Sequence, residues 1–325
     1  MYRLKVRDAI SGNLYDITNL ASEIEYTTEL EGQAGKLTFI LPQDPLENLV
    51  LTNGSNVVFL NDDVGIFYGY VFTLGTDATD DYKVTCYDQL RYWKNEEVYI
   101  TKNQTASEIF EKICIENKIK YEIVTPTTYV PEPYVHSKKT LYQIVERGLQ
   151  LANIAQNKQY FIKDKYGTLQ WTELMQEKTN LILGDGSLVI DYAYEISIDS
   201  DTANNIKFTR NNEATGKIDS WIIKDSATQQ RWGKLQFLQE VDESVSDAAI
   251  QDLGLKLLRL KNRETKTLKL EALGIDGLYA GSGFTIKLDK LGINEAMWVK
   301  SATHNYSKDI HTMSLEVFVW IVLLV

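Results

Sequence analysis

Cysteine, histidine and proline are all scarce in this sequence, and each scarcity narrows what the chain can be. Among 325 residues there are two cysteines, three histidines and five prolines. Two thiols cannot build the disulfide framework that staples small secreted domains. Cys86 falls in an alternating strand pattern and Cys114 on the apolar stripe of a helix, so both read as buried thiols. Three histidines leave few routes to a metal centre. Cations are short as well: 34 Lys and Arg stand against 45 Asp and Glu, a formal net charge of −11. That balance argues against stable nucleic-acid binding, because phosphate contacts need a basic surface. No internal run approaches the roughly 18 apolar residues of a membrane helix. Residues 1–9 are charged and alternating, unlike a secretory leader. The reading is a protein made and folded in the cytoplasm, with no membrane span. A Gly-x-Ser-x-Gly elbow and a phosphate-cradling glycine loop are also missing.

What the chain does have is tyrosine, 19 of them, together with Thr, Val and Ile in strand-like alternation. Residues 64–96 carry the clearest pattern. Ile66, Tyr68, Tyr70, Phe72 and Leu74 share one strand face, a polar turn follows at 76–81, and residues 82–87 alternate again. Gly69, in mid-strand, points to a bend or a close backbone approach. Asp88 is placed to cap a short helical turn that buries Leu90 and Trp93. Short strands at 2–6, 14–17, 22–30, 36–41 and 56–60 precede this hairpin, so residues 1–95 read as a first antiparallel β-barrel.

The period then changes. Thr105 with Glu108, and Thr140 with Gln143, are capping-box pairs, each followed by an apolar stripe at helical spacing. With a strand at 120–124 and a hairpin over 160–171, residues 96–178 read as a small α/β domain. Strands return over 179–325. They are interrupted by one helix, at about 244–262 and opened by Ser244, with a loop expected before it through Arg231. This last segment reads as a second β-barrel with a helical insertion. The fold class expected is mainly β with α+β character: two antiparallel barrels separated by the small α/β domain. The final run, 318–325, is apolar enough to be a last strand or a contact tail.

Candidate chemistry is sparse. His304 and His311 flank a turn at 307–309, so their rings could lie opposite one another, but only Asp309 and Glu316 stand near as further donors. The plainer reading is a pair of solvent-facing strand histidines. His136 sits in a proline-flanked loop without a role. Residues 199–210 begin like a calcium loop with Asp199 and Asp201, but place Ala203 at the fifth position, Asn204 at the sixth and Arg210 at the twelfth, which fits a turn. The glycines from Gly274 to Gly283 connect strands and read as turns. No carboxylate spacing predicts an acid/base pair for glycoside hydrolysis. No catalytic, cofactor-binding or metal residue is assigned, and no cofactor is expected.

The hairpin of 64–96, with its "GYV" strand and "YKVTCYDQLRYW", resembles the baseplate hub proteins of contractile phage tails and phage-like particles. These are the late-control D-type proteins and the hubs of defective Bacillus-type prophages. The closing hairpin "YFIKDKYGTLQW" of the middle segment extends the resemblance over nearly the whole chain. The resemblance implies a non-enzymatic, homotrimeric ring that joins a hexameric tail tube to a trimeric central spike and touches other baseplate proteins. It would be assembled in the bacterial cytoplasm and found in a virion tail or tail-like particle. Two further readings stay open: a carbohydrate-binding or adhesin-like β protein, since tyrosines also line sugar-binding faces, and a cell-wall hydrolase.

Overall fold

The computed structural model describes residues 1–42, 51–76, 78, 81–199, 201–212, 216–241, 243, 245–308 and 310–319. Alternating sequence becomes strand nearly throughout, and the protein is mainly β. The first segment supplies β1 (Tyr2–Arg7), β2 (Leu14–Asp16), β3 (Ser22–Glu29), β4 (Lys36–Leu41), β5 (Asn56–Asn61), β6 (Val64–Thr76) and β7 (Tyr82–Tyr87). Their inward residues, among them Leu4, Leu37, Phe39, Phe59 and Phe67, form one core. Gly69 is where the backbones close in: a Cβ there would meet the Tyr87 carbonyl oxygen at 2.3 Å. A 3₁₀ turn follows at Gln89–Lys94, capped by Asp88 and burying Leu90 and Trp93 as expected.

The middle segment contains β8 (Glu96–Thr101), α1 (Ala106–Glu116), β9 (Tyr121–Ile123), β10 (Tyr134–Thr140), α2 (Leu141–Gln156), β11 (Tyr160–Asp164) and β12 (Leu169–Glu173). Both capping boxes form, at Thr105–Glu108 and Thr140–Gln143. The helices pack Phe110, Ile113, Ile144 and Val145 against Trp93 and Trp171 in a second core. His136, expected in a proline-flanked loop, lies instead in β10, which pairs with β8.

The last segment contains β13 (Lys178–Gly184), β14 (Val189–Ser197), β15 (Asn205–Asn212), β16 (Lys217–Lys224), α3 (Ser226–Trp232), β17 (Gln236–Glu240), α4 (Asp247–Lys261), β18 (Thr265–Leu273), β19 (Gly283–Leu288), β20 (Ile293–Tyr306) and β21 (His311–Phe318). Two details differ from expectation. The loop through Arg231 is helix α3, capped by Asp225, which accepts from the Thr228 N–H. The cap of α4 is Ser246; Ser244 lies outside the described residues. The insertion is also larger than one helix. Strands β16, β15 and β17 form a three-stranded sheet of their own, and α4 buries Ile250 and Leu257 against Ile206 and Phe208 of that sheet. The remaining strands enclose a further core of Leu268, Leu270, Phe284, Met313 and Leu315.

The first and last segments are not separate sheets. β20 pairs antiparallel with β3, from Ser301↔Glu29 to Tyr306↔Ile24. This ladder joins them into one 13-stranded sheet. Such a pairing links residues almost the whole chain apart, and no local pattern announces it. No ladder among the described residues closes the sheet into a ring. Residues 320–325, most of the apolar C-terminal run, lie outside the described residues. No helix among the described residues is long and apolar enough to cross a membrane.

Candidate functional site

A polar cluster beside the β3–β20 seam contains both candidate histidines. The register sets His304 opposite Met313 and His311 opposite Tyr306, so the two are diagonal rather than directly opposed. Their rings nonetheless meet, with His304 Nδ1 2.9 Å from His311 Nε2. His304 Nε2 lies 2.9 Å from the Leu278 carbonyl oxygen, which can only accept. That fixes the tautomers of the neutral pair. His304 donates through Nε2 and accepts at Nδ1; His311 donates through Nε2 and accepts at Nδ1 from the Tyr2 hydroxyl at 3.0 Å.

Asp276 closes the cluster. It accepts from Asn61 Nδ2 at 2.7 Å and from the Tyr306 hydroxyl at 3.2 Å. The Tyr306 ring stacks on His311, their centroids 4.2 Å apart. Gly274 allows this packing, because a Cβ there would overlap the His311 ring at 2.1 Å. The expectation of solvent-facing histidines is therefore corrected: His304 is fully buried. Burial lowers its pKa to about 4 and lowers that of His311 as well. Burial also pushes Tyr2 and Tyr279 up to about 12. Neutral imidazoles and protonated phenols make this a hydrogen-bonded clamp between β1, β20, β21 and the β18–β19 loop.

The other candidates disperse. Asp309 lies outside the described residues, and Glu316 accepts from Lys300 at 3.0 Å, away from the histidines. His136 is buried, 3.3 Å from Thr101 Oγ1, and burial lowers its pKa to about 4. In the 199–210 stretch, Asp201 pairs with Lys261 and Thr202 donates to the Arg263 carbonyl. Asn204 braces the turn by accepting from the Leu235 N–H at 3.0 Å. Among the described residues no three His, Cys, Asp or Glu side chains gather as metal ligands would. Cys86 and Cys114 are buried free thiols.

One further pair was not visible in the sequence. Asp88 and Asp164 meet where the first and middle segments join. Asp88 accepts from the Gly35 N–H at 2.7 Å and the Leu90 N–H at 2.9 Å. Asp164 accepts from the Gly167 N–H at 2.6 Å and the Gln89 N–H at 3.4 Å. Burial raises both pKa values, that of Asp164 to about 7, and the nearby Asp164 charge adds to the rise at Asp88. The pair caps the 3₁₀ turn and docks the middle segment. An Asp at a helix start is a visible cap signal; its meeting with a second carboxyl is a tertiary event.

A family model described as YQBQ-like matches residues 24–318. The chain is 26% identical over 273 residues to "Uncharacterized protein YqbQ" of Bacillus subtilis (strain 168), covering 82% of each chain. It is 25% identical over 283 residues to "Phage-like element PBSX protein XkdQ" of the same strain, covering 86% of each. Among solved structures, the 43 kDa tail protein of prophage MuSo2 from Shewanella oneidensis has a similar fold. The TM-score is 0.71 at 13% identity, over 98% of both chains.

Proposed function

The chain belongs to the YQBQ-like family, and from that membership we propose that it is the structural baseplate hub of a contractile phage tail or tail-like particle. In this reading three copies form a ring between a hexameric tail tube and a trimeric central spike, beside other baseplate proteins. The chain is divided as 1–95, 96–178 and 179–325, with the first and last parts as barrel-like units. The observation that carries the reading is the presence of two β cores in one chain, one around Phe39 and Phe59 and one around Phe284 and Met313. Two similar units per subunit turn threefold symmetry into six quasi-equivalent contacts, which is what a junction between a sixfold tube and a threefold spike requires. The relation to a phage-like element protein of Bacillus subtilis supports the same reading.

The hub needs no chemistry of its own, and the polar clusters are consistent with that. His304 and His311 are committed to a clamp, and Asp88 and Asp164 accept from backbone N–H groups. Light scattering of the purified chain, with tube and spike proteins added, tests the proposal together with an assay of peptidoglycan turnover. A trimer of the 37.1 kDa chain, bound to both partners and inert on peptidoglycan, is expected. A monomer that cleaves cell wall overturns it.

A further inference from the structure

The outward faces of the 13-stranded sheet are segregated by charge. Strands β1, β4, β5, β6 and β7 contain no Asp or Glu at all, yet they hold Arg3, Lys5, Arg7, Lys36 and Lys83. This is notable in a chain whose net charge is −11. Part of the positive charge is met locally: Arg3 pairs with Asp63, and Lys5 lies opposite Asp16 of the edge strand β2. Across the outer side of β6 runs a half-exposed aromatic ribbon. Tyr68 meets Tyr70 at 6.0 Å, Tyr70 meets Tyr92 at 6.1 Å, and Phe72 meets Tyr92 at 5.7 Å. The Arg91 guanidinium sits 5.1 Å over the Phe72 ring. Exposed Tyr with Arg is the composition of interface hot spots rather than of ordinary surface.

The other part of the sheet is acidic. Along β3, β21, β18 and β14 the outward positions include Glu25, Glu29, Glu316, Glu271, Asp191 and Glu195. Lys269 and Lys300 interrupt them, and Lys300 is paired with Glu316. A shallow cavity of about 200 Å³ opens there, lined by Glu29, Glu31, Glu316, Leu30, Lys300 and Ser301. The direction of β3, at one border of the acidic face, relative to β6 follows from the first core. Tyr26 of β3 and Phe67 of β6 touch ring to ring at 5.5 Å across the first core. The outward residues of β3 and β6 therefore look to opposite sides of it.

We propose that these two faces dock on one another between neighbouring copies of this chain, the aromatic–cationic face of one subunit against the acidic face of the next. Two different faces make a head-to-tail contact, which can close into a ring, whereas a twofold contact would pair one face with itself. Opposite charge fixes which face meets which and penalises the wrong pairing. The inference rests on the homotrimer proposed above and names the surfaces that build it.

The test uses the full-length chain in four forms: wild type, R91E/Y92A, E29K/E271K, and R91E/E29K/E271K. Mass is read by light scattering across a concentration series, with thermal melts to confirm that each form is folded. Wild type is expected to trimerise, more weakly as salt rises. Each single-face variant should need roughly tenfold or more higher concentration to associate. An equimolar mixture of the two single-face variants retains one intact contact, but a three-membered ring of them must include one contact between copies of the same variant, so heterodimers form but closed trimers do not. The charge-swapped R91E/E29K/E271K form should recover association relative to E29K/E271K. If wild type is a trimer and both folded single-face variants trimerise at the same concentration, this pairing of faces is wrong while the trimer stands. Failure of the charge swap to recover association also overturns the pairing. If wild type stays monomeric at every concentration, the trimer and the pairing fall together.

Discussion

Asp164 offers the sharpest test of the junction between the first and middle segments. Its carboxyl, held by the Gly167 and Gln89 N–H groups, has its pKa raised by burial from 3.8 to about 7. Between those values the folded chain binds more protons than the unfolded chain. The stability this group contributes is therefore fully present below about pH 3.8 and is lost as pH rises through about 7. At roughly 1.36 kcal/mol per pH unit, ionisation costs the fold up to about 4 kcal/mol above pH 7. Asp164→Asn imitates the neutral form: its amide oxygen can accept from the Gly167 N–H, while its NH2 cannot accept from the Gln89 N–H, a long contact of 3.4 Å whose loss is the same at every pH.

The buried histidines act in the opposite sense. His136 and His304 are lowered to about 4 by burial, and His311 is lowered too. His136 and His304 contribute stability above their unfolded pKa of 6.5 that is lost as pH falls toward about 4, and His311 acts in the same direction. The wild-type profile alone therefore mixes two opposed trends, and the difference between variant and wild type removes the histidines. Urea unfolding at about pH 5 should already place Asp164→Asn about 1–2 kcal/mol above wild type, because the unfolded carboxyl is ionised there while the folded one is not. At about pH 8.5 its lead should have grown by about 2–3 kcal/mol more. A difference that stays flat across this range would show that Asp164 ionises freely and that the burial argument is wrong.

Other outcomes follow from single positions. Phe110 is fully buried, with its ring against Trp93 and Trp171, so Phe110→Ala should cost about 3–5 kcal/mol in denaturant unfolding; an unchanged midpoint would mean the middle core is misread. Gly69→Ala would drive a Cβ into the Tyr87 carbonyl and the Phe67 ring, and should destabilise by about 1–3 kcal/mol; a neutral melt would show that β6 and β7 are not in close approach. Dialysis against a chelator should leave the melting curve unmoved, and a large drop would restore a metal to the histidine cluster or to the 199–210 turn.

Local signals were legible, and long-range ones were not. Thr105–Glu108 and Thr140–Gln143 announce helices because a capping box is a four-residue event. Asp88 reads as a cap for the same reason. β8 and β10 hide because Glu96, Glu97, Lys138 and Lys139 blur alternation and Pro131 and Pro133 stand beside them. α3 hides because it is short and buries nothing. Of the histidine clamp the sequence shows two residues near a turn; its other members, Tyr2, Asn61 and Asp276, come from strands and loops far away. Their meeting depends on the β3–β20 ladder, which joins Glu29 to Ser301.

Cryo-EM of the intact tail-like particle measures the central claim directly. Three copies of this chain should form one ring between the sixfold tube and the threefold spike. Their two β units should alternate around the axis in near-sixfold arrangement. Finding the chain elsewhere in the particle, or as six copies each offering a single β unit to the tube, would contradict the account.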